Sequence, residues 1–266
     1  LGAEVLGIDL KDSSLKNWNK INNLLLEHKA LFFRDQNITS EEQINLAKRF
    51  GPLERHIYVK GRENYPEILR IIKEPDEKRQ WGETWHTDVS YNPKPTKVII
   101  LRSLKIPPVG GDTMFSNMEI AYETLDEKIK SKIRDKKAVH SSLGAAAFTE
   151  AYKAMEGNGN LDEYSNAHPM VRTHPETGKK ILYVNSMYTK KILDTDAQES
   201  EDILNQIFAH QERLDFTCRF KWTENAVAIW DNRSTLHQGL TDFFPGRGLG
   251  HERVMDRIAI EGDHPL

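Results

Sequence analysis

From residue 66 onward the sequence breaks into short apolar and β-branched runs, each closed within a few residues by a turn signal. The runs fall at 67–73, 97–105, 137–142, 170–174, 180–185, 216–222, 226–231, 235–240 and 253–261. Between them stand Pro107-Pro108-Val109-Gly110-Gly111, Pro175-Glu176-Thr177-Gly178, Thr223-Glu224-Asn225 and Pro245-Gly246. Runs of this length suit strands, and Gly, Pro and Asn are the residues that turn the chain between them. Two helical stretches interrupt the pattern, at about 117–132 and 197–213, and two precede it. The first covers about 17–29 and places Ile21, Leu24, Leu25 and His28 on one face. The second starts at Thr39-Ser40-Glu41-Glu42 with Thr39 as a candidate N-cap, shows Ile44, Leu46, Ala47 and Phe50 on its apolar side, and stops at Gly51-Pro52. Many short strands with helices mainly at the front predict a mainly β fold with flanking helices, a barrel or jelly roll under a helical layer.

The chain has 266 residues, a length that large β folds reach as one domain. With no internal repeat and no low-complexity linker, the expectation is a single domain over 1–266. The stretch 143–167 breaks the strand rhythm with Ala, Gly, Asn and Glu, and reads as an active-site lid or insertion. Hydrophobic residues make up 38%, enough for a core, which excludes a disordered chain. No apolar run approaches the roughly 18 residues of a membrane span. Lys and Arg number 37 against 40 Asp and Glu, for a net charge of −3. That balance predicts no nucleic-acid partner and no membrane-surface partner. The single cysteine, Cys218, forms no internal disulfide and reads as a small core residue. The opening Leu1–Val5 lacks the basic and apolar regions of a signal peptide, so a cytoplasmic protein is expected; it also lacks Met, which leaves the native start open.

The sharpest chemical signal is Trp85-His86-Thr87-Asp88. In an extended segment, residues i and i+2 point to the same side, so His86 and Asp88 would offer an imidazole nitrogen and a carboxylate oxygen to one metal. The best third ligand is His237, reached directly from the β-rich run that begins Trp230-Asp231-Asn232-Arg233. Two histidines and a carboxylate make the facial triad of non-haem Fe(II) oxygenases, with positions left open for a cosubstrate and O₂. Zinc is a rival ion for the same donors, and a hydrogen-bonded structural role is the plainer alternative for His86. Further on, Arg253 and Arg257 lie four apart in an apparent strand and so share a face. If that face is the inner one, the arginines need an anion, and a dicarboxylate would supply it.

Taken in order, these segments resemble the taurine/2,4-D dioxygenase (TauD/TfdA) family of Fe(II)- and 2-oxoglutarate-dependent dioxygenases. The resemblance runs from Leu1-Gly2-Ala3-Glu4-Val5 through Leu31-Phe32-Phe33-Arg34-Asp35-Gln36, Phe50-Gly51-Pro52-Leu53, Trp85-His86-Thr87-Asp88 and Gly110-Gly111-Asp112-Thr113. It continues in Val171-Arg172-Thr173-His174-Pro175 and Ile229-Trp230-Asp231-Asn232-Arg233, and closes with His237 and Arg253-Val254-Met255-Asp256-Arg257. It implies a double-stranded β-helix (jelly roll, cupin-like) core. It implies one Fe(II) held by His86, Asp88 and His237, with Thr113 and Arg253 on the distal carboxylate of 2-oxoglutarate. Arg257, His56 and the aromatic Tyr188 fall where the family contacts substrate. The implied reaction hydroxylates a small organic anion (a sulfonate, sulfate ester or carboxylic acid) while O₂ and 2-oxoglutarate give succinate and CO₂. Family members often form dimers or tetramers.

Departures from the taurine enzyme point to another substrate. Gly82 stands where that enzyme has a substrate-contacting asparagine, and Ser141-Ser142-Leu143-Gly144-Ala145-Ala146-Ala147-Phe148 replaces its Ser-Phe pair. The segment between His237 and Arg253 is longer. A larger or less polar organic anion than taurine is expected. Two alternatives stand beside this reading: a Zn- or Mn-dependent cupin-type hydrolase or isomerase at the same triad, and a non-catalytic metal or ligand sensor on the same fold.

Overall fold

The interior of the protein is set by strands that are apolar on both sides. In Val98–Lys105 (β5), Val98 and Ile100 face one way while Ile99 and Leu101 face the other, and all four are buried. Val227–Asp231 (β13) repeats this with Val227 and Ile229 against Ala228 and Trp230. Strands covered on both faces lose the polar half of the alternation, which is why they read as continuous apolar runs. The computed structural model describes residues 1–12, 14–57, 59–76, 82–143, 164–242 and 250–266.

The larger sheet has the order β1-β2-β13-β5-β15-β3. Its remaining members are Ala3–Glu4 (β1), Ala30–Phe33 (β2), Leu53–Glu54 (β3), Leu69–Lys73 (β4) and Arg253–Ile260 (β15). The far edge of β15 is shared: β4 pairs along Arg253 to Arg257, and β3 pairs at Ala259 and Ile260. One face of this sheet meets the helices Leu15–His28 (α1) and Ser40–Lys48 (α2), burying Ile21, Leu25, Leu46 and Ala47 against Leu31, Phe33, Ile229 and Ile258. Both helices are capped as their sequences ask. Ser14 accepts the Asn17 N–H, and Thr39 and Glu42 form a reciprocal capping box.

The opposite face looks onto a second sheet, β12-β6-β14, built from Thr217–Phe220 (β12), Thr113–Asn117 (β6) and Thr235–Gly239 (β14). Phe115 and Phe220 from this sheet pack with Phe32, Leu101, Trp230 and Met255 from the larger one. Two facing sheets with buried inner faces form the jelly-roll core. Outside the second sheet, Leu236 joins a cluster with the helices Met118–Glu123 (α3), Glu127–Ile133 (α4) and Ala197–Gln211 (α5). The hairpin Val171–Thr173 (β9) with Lys180–Leu182 (β10) packs there too. A third sheet, β11-β7-β8, comprises Thr189–Ile192 (β11), Lys137–Ser141 (β7) and Ser165–Pro169 (β8).

Every strand expected from the sequence is present, trimmed by one to three residues. Three expectations change. The helix over 117–132 is two helices, because Thr124 closes the first and Asp126 caps the second by accepting the Lys128 N–H. Strand β6 was hidden, since nearly all its residues are buried and no alternation survives. Residues 165–167 of the expected lid or insertion form part of β8, paired to β7; residues 144–163 lie outside the described residues, as do 243–249 of the segment before β15. Among the described residues, no helix is long and apolar enough to cross a membrane.

Candidate metal centre and active site

The two histidines of the expected triad meet across a pair of backbone hydrogen bonds. His86 N–H donates to the His237 carbonyl (3.1 Å), and His237 N–H donates to the His86 carbonyl (2.9 Å). This puts the first ligand segment alongside β14, and the rings stand 4.2 Å apart. Thr87 turns the other way and donates its hydroxyl to the Thr235 carbonyl. Asp88 therefore returns to the His86 side, with its two oxygens 3.6 Å from His86 Nε2 and 3.6 Å from His237 Nε2. One donor atom from each residue lies within 4.8 Å of the others, a spacing that fits one ion.

The surroundings prepare these donors. The Thr84 carbonyl lies 2.7 Å from His86 Nδ1, so Nδ1 carries the hydrogen and Nε2 keeps its lone pair toward Asp88. Burial, with His86 alongside, pushes His237 down to about 3 and keeps it neutral, the form that binds metal. Burial alone would raise the Asp88 carboxyl, but Arg257 at 3.2 Å outweighs it and holds Asp88 well below the usual range. Trp230, 1% exposed, packs its ring 4.8 Å from that of His237.

Two backbone features shape the first ligand segment. Val89, directly after Asp88, has φ +46°, a left-handed conformation that is strained for a β-branched residue. Gly82 has φ +70°, and a Cβ there would lie 3.0 Å from His86 Cε1. A side chain there would crowd the His86 ring and strain its own backbone.

All eight expected site residues line one cleft: His56, His86, Asp88, Thr113, Tyr188, His237, Arg253 and Arg257. Arg253 and Arg257 both face inward from β15, as their spacing predicts. They differ in partners. Arg257 pairs with Asp88, whereas the Arg253 Nε is buried without a partner among the described residues. Burial pushes Arg253 down to about 10, with only Asp112 opposing. His56 accepts the Val59 N–H at Nδ1, which places its hydrogen on Nε2; burial, followed by Arg257, pushes it down to about 4. Tyr188 stands edge-on to His86, its ring centroid at 6.3 Å. Leu69 and Ile71 from β4, Leu101 from β5, and Val89 and Met187 make an apolar wall.

Two residues escaped the sequence reading. Asn232 is fully buried and grips the backbone of Asp88: its Oδ1 accepts the Asp88 N–H (3.1 Å), and its Nδ2 donates to the Asp88 carbonyl (3.3 Å) and the Thr96 carbonyl (2.9 Å). Trp222 donates its indole N–H to Thr113 Oγ1 (2.9 Å). A buried asparagine inside the Trp230–Arg233 motif was a signal for the first; the second had none.

The comparisons agree with this geometry. A family model described as taurine catabolism dioxygenase TauD, TfdA family matches residues 1–258. The chain is 35% identical to an alkylsulfatase of Acinetobacter baylyi, over 99% of this chain and 83% of that protein. It is 32% identical to an (S)-phenoxypropionate/alpha-ketoglutarate-dioxygenase of Sphingobium herbicidovorans, over 98% and 93%. A solved taurine dioxygenase from Burkholderia xenovorans superposes with a TM-score of 0.84 at 33% identity, covering 100% of this chain and 89% of that one. Triad, cleft and whole-chain likeness converge: this chain belongs to the TauD/TfdA family of dioxygenases.

Proposed function

We propose that the protein is an Fe(II)- and 2-oxoglutarate-dependent dioxygenase that hydroxylates a small organic anion with an apolar body. The observation that carries the reading is Arg253, a buried cation that makes no ion pair among the described residues and whose Nε has no hydrogen-bond partner there, in the same cleft as the triad. An inward guanidinium is costly unless an anion meets it, and the distal carboxylate of 2-oxoglutarate is the anion assigned to it. The donor set fits the metal: two imidazoles, one with its Nε2 free and one held neutral, and a carboxylate that stays ionised.

His86, Asp88 and His237 would hold the iron. With 2-oxoglutarate and O₂, it supplies the oxidising chemistry, in which the cosubstrate is split to succinate and CO₂ and one oxygen atom enters a substrate C–H bond. The protein binds, orients and shields. Arg253 and Thr113 take the distal carboxylate. Arg257 serves two anions, keeping Asp88 ionised and drawing the substrate head, to which His56 Nε2–H donates. Tyr188 and the apolar wall of Leu69, Ile71 and Met187 receive the body of the substrate. The alkyl sulfate and phenoxy acid in the names of its relatives share that plan, an anionic head on an apolar body. A dimer or tetramer acting in the cytoplasm completes the proposal.

The test is anaerobic addition of Fe(II) and then 2-oxoglutarate to metal-free protein, read by the visible charge-transfer band of the chelate. Wild type develops the band, and Arg253→Ala needs much more cosubstrate. An iron-loaded, folded wild type that gives no band sinks the reading and brings the hydrolase and sensor alternatives forward. A panel of alkyl sulfates, sulfonates and phenoxy acids, screened by perturbation of the same band, identifies the substrate class.

A further inference from the structure

Thr113, which lines the cleft, opens β6 and lies in register with Gly239 on one side and Phe220 on the other. Its hydroxyl accepts the Trp222 indole N–H at 2.9 Å, both residues being buried. An indole N–H is only ever a donor. A threonine hydroxyl that accepts this bond keeps its own hydrogen to give away. No described residue takes that hydrogen, and Thr113 lines the cleft. The same indole ring lies 5.9 Å from the Arg253 guanidinium carbon and packs edge-on to Phe220, centroids 4.9 Å apart. Trp222 thus stands beside both cleft-lining groups, Thr113 and Arg253.

We propose that Trp222 is a positioning residue for the cosubstrate, forcing the Thr113 hydroxyl to act as a donor toward the distal carboxylate of 2-oxoglutarate. The inference rests on the cosubstrate reading above. Without the indole N–H, the hydroxyl is free to turn its hydrogen elsewhere, and a bond to the carboxylate no longer comes pre-aimed. The indole therefore contributes to recognition of a carboxylate it does not contact.

The test separates aim from packing by using two keto acids. 2-Oxoglutarate and 2-oxobutyrate share the metal-chelating end, but only the first has a distal carboxylate. Both are titrated anaerobically into Fe(II)-loaded wild type, Trp222→Phe, and Trp222→3-benzothienylalanine, which keeps the ring shape and deletes only the N–H. Loss of one aimed hydrogen bond raises the Kd for 2-oxoglutarate about 5-fold, and the Kd for 2-oxobutyrate stays at the wild-type value. In a Thr113→Val background the same change at Trp222 has no further effect on 2-oxoglutarate. Equal weakening of both keto acids, or weakening of neither, overturns the inference while leaving the cosubstrate assignment intact. A wild type that binds 2-oxobutyrate and 2-oxoglutarate equally well, or neither, removes the cosubstrate reading and this inference together. The benzothiophene variant keeps the proposal falsifiable if Trp222→Phe fails to fold.

Discussion

Arg253 and Arg257 stand four residues apart on the same face of the same strand, 6% and 8% exposed, and yet they sit in opposite electrostatic situations. Burial works against both charges. At Arg257 it is outweighed by Asp88 and Glu54, which raise the pKa above its ordinary value. At Arg253 it dominates, and the group is pushed down to about 10. The Asp88 side of the cleft is thus charge-matched by the chain itself, whereas Arg253 makes no ion pair among the described residues. On the proposed reading, the first end is built to fold and the second is completed by the cosubstrate.

The largest effect should come from the matched end. Asp88→Ala removes a ligand and strips Arg257 of its partner. Losses from outer groups alone reach about 10- to 100-fold in metal affinity, so a ligand loss should exceed about 100-fold, read by metal content and by succinate release. The two arginines then break or sharpen the comparison directly. Arg253→Leu should raise the 2-oxoglutarate Kd about 30-fold or more while changing the stability of the ligand-free protein by no more than about 1 kcal/mol, since an unpaired buried charge is removed. Arg257→Leu should destabilise the ligand-free protein by about 2 kcal/mol, a figure reduced from that of a fully buried pair because Asp88 keeps some exposure. Urea unfolding of both variants decides it; equal stability losses would end the distinction drawn here.

A smaller effect belongs to Asn232. Asn232→Ala frees the Asp88 backbone and should weaken metal binding about 10-fold without altering the preference for 2-oxoglutarate over 2-oxobutyrate. The smallest concerns pH. His237 and His140 are held down to about 3, and His56 and His168 to about 4, in each case with burial as the largest cause. The unfolded chain takes up these protons near pH 6.5 and the folded chain does not. Stability of the metal-free protein is therefore full above about pH 6.5 and falls as the pH drops from there toward about 4, by at most about 1.4 kcal/mol per histidine per pH unit. His140→Gln, at a residue outside the triad, should flatten that slope in urea titrations; an unchanged slope would show that His140 is protonated in the folded protein.

Much of the site was legible because it depends on short spacings. The i and i+2 relation of His86 and Asp88, and the i and i+4 relation of Arg253 and Arg257, follow from the two-residue period of extended backbone. Strands β5, β13 and β15 were visible through their apolar runs. Strand β6 was not, because burial on all sides erased its period, and the Thr124–Asp126 break was masked by apolar spacing that continues across it. Trp222 and Asn232 act on residues far along the chain, Thr113 and Asp88, and nothing local marks either pairing.

By itself, the sequence determined a barrel or jelly roll under helices, a pair of candidate metal donors on one side of one segment, and a third histidine at the end of a β-rich run. Those outcomes rest on residue type and backbone period, which are local. The tertiary structure alone decided that His237 faces His86 across two backbone hydrogen bonds, that Arg257 neutralises Asp88, and that Arg253 makes no ion pair among the described residues. The reason is register: sliding β15 or β14 by one residue would turn each of these side chains to the other face, and register is settled only when both sheets pack on a common core.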